Sequence, residues 1–234
     1  MKKLCYTAVL VMLLTPAVLV AQPQEIDPGQ LGVDAAQQRL QQVSVSRFED
    51  PGFWRVSMSL DSGVITYRRL EGGPMDAEPI EAEVEAGIDE QDRYVLGVKA
   101  EFFRRRATNI FVEAERPIPI PGVAKTLSVW VVGRNRNHRL SAVLNDYFGN
   151  LVVLPMGEMN FSGWREVEVA IPPSIPQEDM YIGGDRGIQF VGFLIEPALM
   201  QTYGSYYVYF DDMRVVTDLF AEEVRDPDDM VDSW

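Results

Sequence analysis

From Val43 onward, apolar and polar residues alternate with period two, the signature of strands with one face buried and the other wet. Ten segments carry the pattern: Trp54–Ser59, Val64–Arg69, Tyr94–Phe103, Asn109–Glu115, Thr126–Val132, Leu140–Asp146, Leu151–Met156, Trp164–Ile171, Ile188–Ile195 and Tyr206–Thr217. In Trp164–Ile171, Val167, Val169 and Ile171 share one face, on which Arg165 is the only polar member. Leu127–Val132 is apolar on both faces, which predicts a strand in the middle of a sheet. Amphipathic helices of ten or more residues do not recur between the strands, and this argues against an α/β fold. The pattern predicts a mostly β protein, an antiparallel β-sandwich of jelly-roll type.

The remaining segments read as ends and connections. Lys2 and Lys3 precede an apolar run from Leu4 to Val20 that closes on Ala21 before polar residues. This is the form of a secretory signal, expected over residues 1–21. Thr7, Thr15 and Pro16 interrupt a run already short for a bilayer, so no membrane anchor is expected. Residues 22–42 are expected as an arm with a short helix over 34–42, because Asp34 caps a row of good helix formers. The sandwich domain is expected over 43–218 and an acidic tail over 219–234. Pro117, Pro119 and Pro121 predict an extended connection between strands. Glu71–Glu90, rich in carboxylates, predicts a long exposed loop, and Asp146–Asn150 a hairpin turn.

Charge and cysteine content narrow the function classes. The 234-residue chain carries a formal charge of −14, and removing residues 1–21, with two lysines and no carboxylate, takes it to −16. Such a surface repels nucleic acid and anionic membrane. The one cysteine, Cys5, lies in the signal, which leaves the rest without a disulfide or a thiol nucleophile in an oxidising compartment.

Catalytic chemistry is sparse. His138 is the only histidine and sits in the basic run Arg134–Arg139. No nucleophile elbow accompanies it, Ser205 begins a strand, and Gly183–Gly187 lacks the ending of a phosphate loop. A glycosidase needs only two carboxylates, and with 35 present composition does not exclude one. Glu166 and Glu168, however, share a wet strand face, where acids mainly serve solvation. The chain is read as a non-enzyme. Carboxylates at the opening and closing strands, Glu49, Asp50, Asp211 and Asp212, are the candidate ligands of a structural calcium ion, which prefers hard oxygen donors. Against this stands the plainer role of turn caps and partners for Arg214. Trp54, Trp130, Trp164, Tyr206, Tyr207 and Tyr209 are candidates for a sugar platform, although core packing is the commoner use of aromatics in alternating strands.

An ordered series of segments resembles one known family. It comprises Val129–Asn135, Asn137–His138, Asp146–Asn150, Met159–Trp164 running into Val169–Pro173, and Tyr207–Asp218 with the acidic stretch after it. Together they resemble the FlaA family, the outer-layer or sheath proteins of spirochaete periplasmic flagellar filaments, from about Arg47 to Trp234. Arg136 departs from the family pattern. The resemblance implies a periplasmic subunit that coats a core of flagellins beside other sheath subunits and helps set filament stiffness and shape, with no catalytic residues to carry over. It also gives a use to two basic islands, Arg104, Arg105 and Arg106, and Arg134, Arg136 and Arg139. These are candidate assembly contacts for a neighbour's acidic tail, which ends in Trp234. A carbohydrate-binding module on a related sandwich is the competing reading.

Overall fold

The computed structural model describes residues 40–88, 92–177 and 187–219. Its strands, in chain order, are β1 (Leu40–Ser46), β2 (Trp54–Met58), β3 (Gly63–Glu71), β4 (Tyr94–Phe102), β5 (Ile110–Pro119) and β6 (Val123–Val132), followed by β7 (Arg139–Asn145), β8 (Leu151–Glu158), β9 (Trp164–Ala170), β10 (Gln189–Glu196) and β11 (Gly204–Asp218). One sheet runs β3-β4-β11-β6-β9, with β1 also on β11, and the other runs β2-β5-β10-β7-β8. All the pairings are antiparallel. The inner faces of both sheets meet in a single core built around Phe48, Trp54, Phe190, Phe193 and Phe210. Phe193 and Phe210, one from each sheet, stack at 4.8 Å between ring centroids, and Phe48 stacks on Trp54 at 4.6 Å. The antiparallel sandwich expected from the alternation is the fold.

The fifteen-residue β11 is the spine of the larger sheet. Its first half, Gly204–Phe210, pairs with β4, its second half, Met213–Asp218, pairs with β1, and β6 lies along its other edge. Between the two halves the register with β6 slips from Asp211 to Arg214, and Asp212 takes a left-handed φ of 43°. The extra residue of such a bulge bends the strand and re-aims its side chains. β6 is hydrogen-bonded on both sides, as its doubly apolar sequence requires.

Three expectations are corrected. Leu40–Gln42, assigned to the end of a helix, are strand: Leu40 pairs with Asp218 and Gln41 with Thr217. A row of unpaired edge groups on β11 outweighs the modest helix preference of Gln. The rest of that segment, the signal and the acidic tail lie outside the described residues. Pro117 and Pro119 belong to β5 rather than to a connection. They are tolerated there because β2 pairs only with Ile110–Ala114, which leaves one edge of the second half of β5 without a partner that needs N–H donors. The 71–90 segment is not simply exposed. Its residues 81–85 form the short helix α1 (Glu81–Glu85), Ile80 is buried, and Glu83 pairs with Arg47. The hairpin at Asp146–Asn150 is as expected, with Asp146 Oδ1 accepting from the Asn150 amide at 2.7 Å. Among the described residues no helix is long and apolar enough to cross a membrane.

Candidate functional site

Two groups of charged side chains stand out, at different places on the sandwich. The first lies where the β11 bulge meets the connections before β2 and β4. Asp211 is fully buried, its Oδ1 accepts the amide of Asp212 at 2.9 Å, and its Oδ2 has no hydrogen-bond partner among the described residues. Burial, followed by the nearby carboxylates of Asp92, Asp212 and Glu49, pushes Asp211 up to about 8, so it holds its proton at neutral pH. Asp92 is raised as well, by burial and then by Asp212 and Glu49. Asp212 pairs with Arg214, whose Nη2 lies 2.5 Å from its Oδ2 and also donates to the Glu78 carbonyl. Glu49 Oε1 accepts the amides of Arg93 and Tyr94.

Of the four expected calcium ligands, Glu49, Asp211 and Asp212 share this neighbourhood. Asp50 instead caps a 3-10 turn by accepting the Gly52 amide at 2.9 Å. Among the described residues no three carboxylates or histidines are gathered so as to hold a metal ion. Asp92 was missed from sequence because nothing local distinguishes it from the acids around it.

The second group is basic and forms at one end of the sandwich. The Arg104–Arg106 loop and the Arg134–Asn137 loop hang from the same short turn, Leu199–Thr202: the Arg106 amide donates to Thr202 Oγ1, and the Asn137 amide to Gln201 Oε1. Arg104 Nε reaches the Asp61 carbonyl in the β2–β3 turn, and Arg106 lies 3.6 Å from the Asp61 carboxylate. Arg134 and Asn135 both have left-handed φ, 57° and 53°, and the amides of Asn135 and Arg136 donate to the carbonyls of Phe161 and Met159. The loop is thereby fixed, with the Arg134 guanidinium 5.2 Å from the Tyr209 ring centroid. Arg139 stands at the start of β7, 3.9 Å from Glu196. The two islands are therefore neighbours in space, although 28 residues separate Arg106 from Arg134 in sequence. Trp234 lies outside the described residues.

His138 is buried inside this end, its Nδ1 accepting the Ala198 amide at 3.1 Å and its ring 4.4 Å from Tyr206. Burial, then the Arg136 charge, lowers its pKa to about 4, so it is neutral. Ser205 Oγ donates to Glu101. The candidate platform aromatics divide: Trp54 and Tyr206 are core residues, while Tyr207 is exposed on β11, and Tyr209, partly buried, has Val132 as partner on β6, which in turn faces Trp164 on β9.

A family model described as the flagellar filament outer layer protein FlaA matches residues 23–226. The chain belongs to this family. A curated FlaA-like relative from Brachyspira hyodysenteriae, named as a flagellar filament outer layer-like protein, is 36% identical over 206 residues, covering 88% of this chain and 92% of its own. Solved structures with a similar sandwich include a family 11 carbohydrate-binding module from Clostridium thermocellum in complex with a β-1,3-1,4-mixed-linked tetrasaccharide. It is 10% identical with a TM-score of 0.45, covering 76% of this chain and 97% of its own. A module in complex with β-1,4-galactotriose is 15% identical with a TM-score of 0.39, covering 72% and 89%. These two are likenesses of fold alone.

Proposed function

We propose that this FlaA-family chain is an exported, non-catalytic subunit of the outer layer of periplasmic flagellar filaments. It coats the flagellin core beside other sheath subunits and contributes to filament stiffness, shape and motility. The family match over residues 23–226 carries the reading. Its support from the geometry is chemical. His138 is buried, neutral and packed on Tyr206, Ser205 is engaged by Glu101, and the buried acid Asp211 is held protonated within the sheet. His138 and Asp211 are buried away from solvent. Deleting the gene and imaging isolated filaments tests the reading: thinner, more flexible filaments are expected, and filaments of unchanged diameter and stiffness would overturn it.

A sugar-binding role is the second reading, favoured by the Tyr207, Tyr209 and Trp164 side chains on the outer face of the larger sheet. It predicts retardation of the chain on a polysaccharide matrix and loss of that retardation on Tyr207→Ala.

A further inference from the structure

The end of the sandwich that carries the basic loops also exposes several large apolar side chains. Leu60 in the β2–β3 turn is 88% exposed, Phe103 after β4 59%, and Met200 and Tyr203 before β11 72% and 69%. These positions are adjacent: the Phe103 amide donates to the Ser62 carbonyl, and Gly204 pairs with Phe102. Large apolar groups gathered in this way on a soluble domain mark an interaction surface. Among the described residues no carboxylate lies within ion-pair reach of Arg105, Arg134 or Arg136, although the chain as a whole carries −14. The surface is thus apolar, cationic and held by ordered loops, which lowers the entropy cost of binding.

Its chemical complement is in the same sequence. Residues 220–234 contain six carboxylates against the single Arg225, interleaved with Phe220, Val224, Met230, Val231 and Trp234. They follow Asp218, which pairs with Leu40 and Val123 at the far end of β11 from Gly204. Fifteen residues of twisted strand separate the ends by about 45 to 50 Å. A fifteen-residue segment reaches about 50 Å only when fully extended. Turned back on its own sandwich, it comes within reach of Arg134, which sits beside Tyr209 nine residues along β11 from Asp218, but it attains Leu60, Phe103 and Arg105 at the Gly204 end only when fully extended.

The geometry points to a head-to-tail contact in which the acidic segment 220–234 of one copy binds the Leu60, Phe103, Met200 and Arg105, Arg134, Arg136 end of the next copy. The acceptor surface lies at one end of β11, and the segment follows its other end in sequence. The contact is therefore heterologous and extends into a row unless the rotation closes. This rests on the outer-layer reading for its biological setting, but the contact itself exists in solution, where it is tested.

The test is sedimentation of residues 22–234 over a concentration series. Concentration-dependent association is expected, weakened at least tenfold when salt rises from 50 to 500 mM, and reversed by excess peptide of residues 220–234. Charge reversal at the basic end (Arg105→Glu with Arg134→Glu and Arg136→Glu) abolishes association, and so does reversal in the segment (Glu222→Lys, Glu223→Lys and Asp229→Lys). A mixture of the two variants restores it as alternating assemblies, because each reversed surface meets its complement on the other variant, which a folding defect would not. A chain that is monomeric throughout, association indifferent to the peptide, or a mixture that fails to re-associate overturns the inference. Thinner filaments in the deletion strain together with a monomeric chain in solution would overturn the head-to-tail contact alone, leaving the outer-layer reading intact.

Discussion

At the scale of single residues, two buried ionisable groups pull stability in opposite directions with pH. His138 titrates near 4 when folded and near 6.5 when unfolded, so the unfolded chain takes up a proton that the folded chain refuses. Its contribution is complete above about 6.5 and is lost as pH falls through 4. Asp211 titrates at about 8 when folded against 3.8 unfolded; its contribution is complete below 3.8 and is lost as pH rises through 8. The two windows overlap from about pH 4 to 6.5, where the opposing slopes offset each other, so the melting temperature should be nearly level there and fall from about 6.5 to 8, where only Asp211 still titrates. His138→Gln keeps an acceptor for the Ala198 amide and removes the offset, so the fall should begin near pH 4. Asp211→Asn should raise the melting temperature more at pH 8 than at pH 5, and an equal change at both would show that ionisation is not what burial opposes. Neither group announced its role in the sequence. His138 stood in a run of arginines that reads as surface, and burial comes from the Leu199–Thr202 turn, 61 residues further on. Glu49 and Asp211 were legible as neighbours because one precedes the first strand that the alternation marks and the other lies within the last, whereas Asp92 reaches them through a connection whose path is set by tertiary packing.

At the scale of elements, alternation marked the strands because each has one dry face, and the bounds fell within a few residues. β1 escaped because its Gln-rich start has no period of its own; the free edge of β11 imposes its conformation. The β10 strand shows how closely two backbones are fitted. A methyl group added at Gly192 would sit 2.5 Å from the Val112 carbonyl oxygen and 2.8 Å from the Glu113 Cα, both backbone atoms of β5. Gly192→Ala should cost about 1 to 3 kcal/mol by overpacking, read as a lower urea midpoint with unchanged slope. In the opposite sense, Phe48→Ala removes a ring stacked on Trp54 and close to Phe210, and should cost about 3 to 5 kcal/mol. If Phe48→Ala proved milder than Gly192→Ala, the inter-sheet aromatic stack would not be the centre of the core.

At the scale of the whole molecule, the residues from both sheets form one hydrophobic cluster, so they should unfold together. Far-ultraviolet circular dichroism and tryptophan fluorescence are expected to give superimposable urea transitions; two separated transitions would show that the sheets are independent. The convergence of the two basic loops was invisible from spacing, since it depends on which strands lie side by side. β11 gives that arrangement a mechanical meaning. A pull applied to the end near Gly204 and leaving beyond Asp218 runs along one continuous strand, whose hydrogen bonds to β4, β1 and β6 stand across the direction of the force. The load along that path is carried by the covalent backbone of β11, while its hydrogen bonds to three neighbours keep the strand from bending, so the joints between copies in the proposed row would be its weaker points.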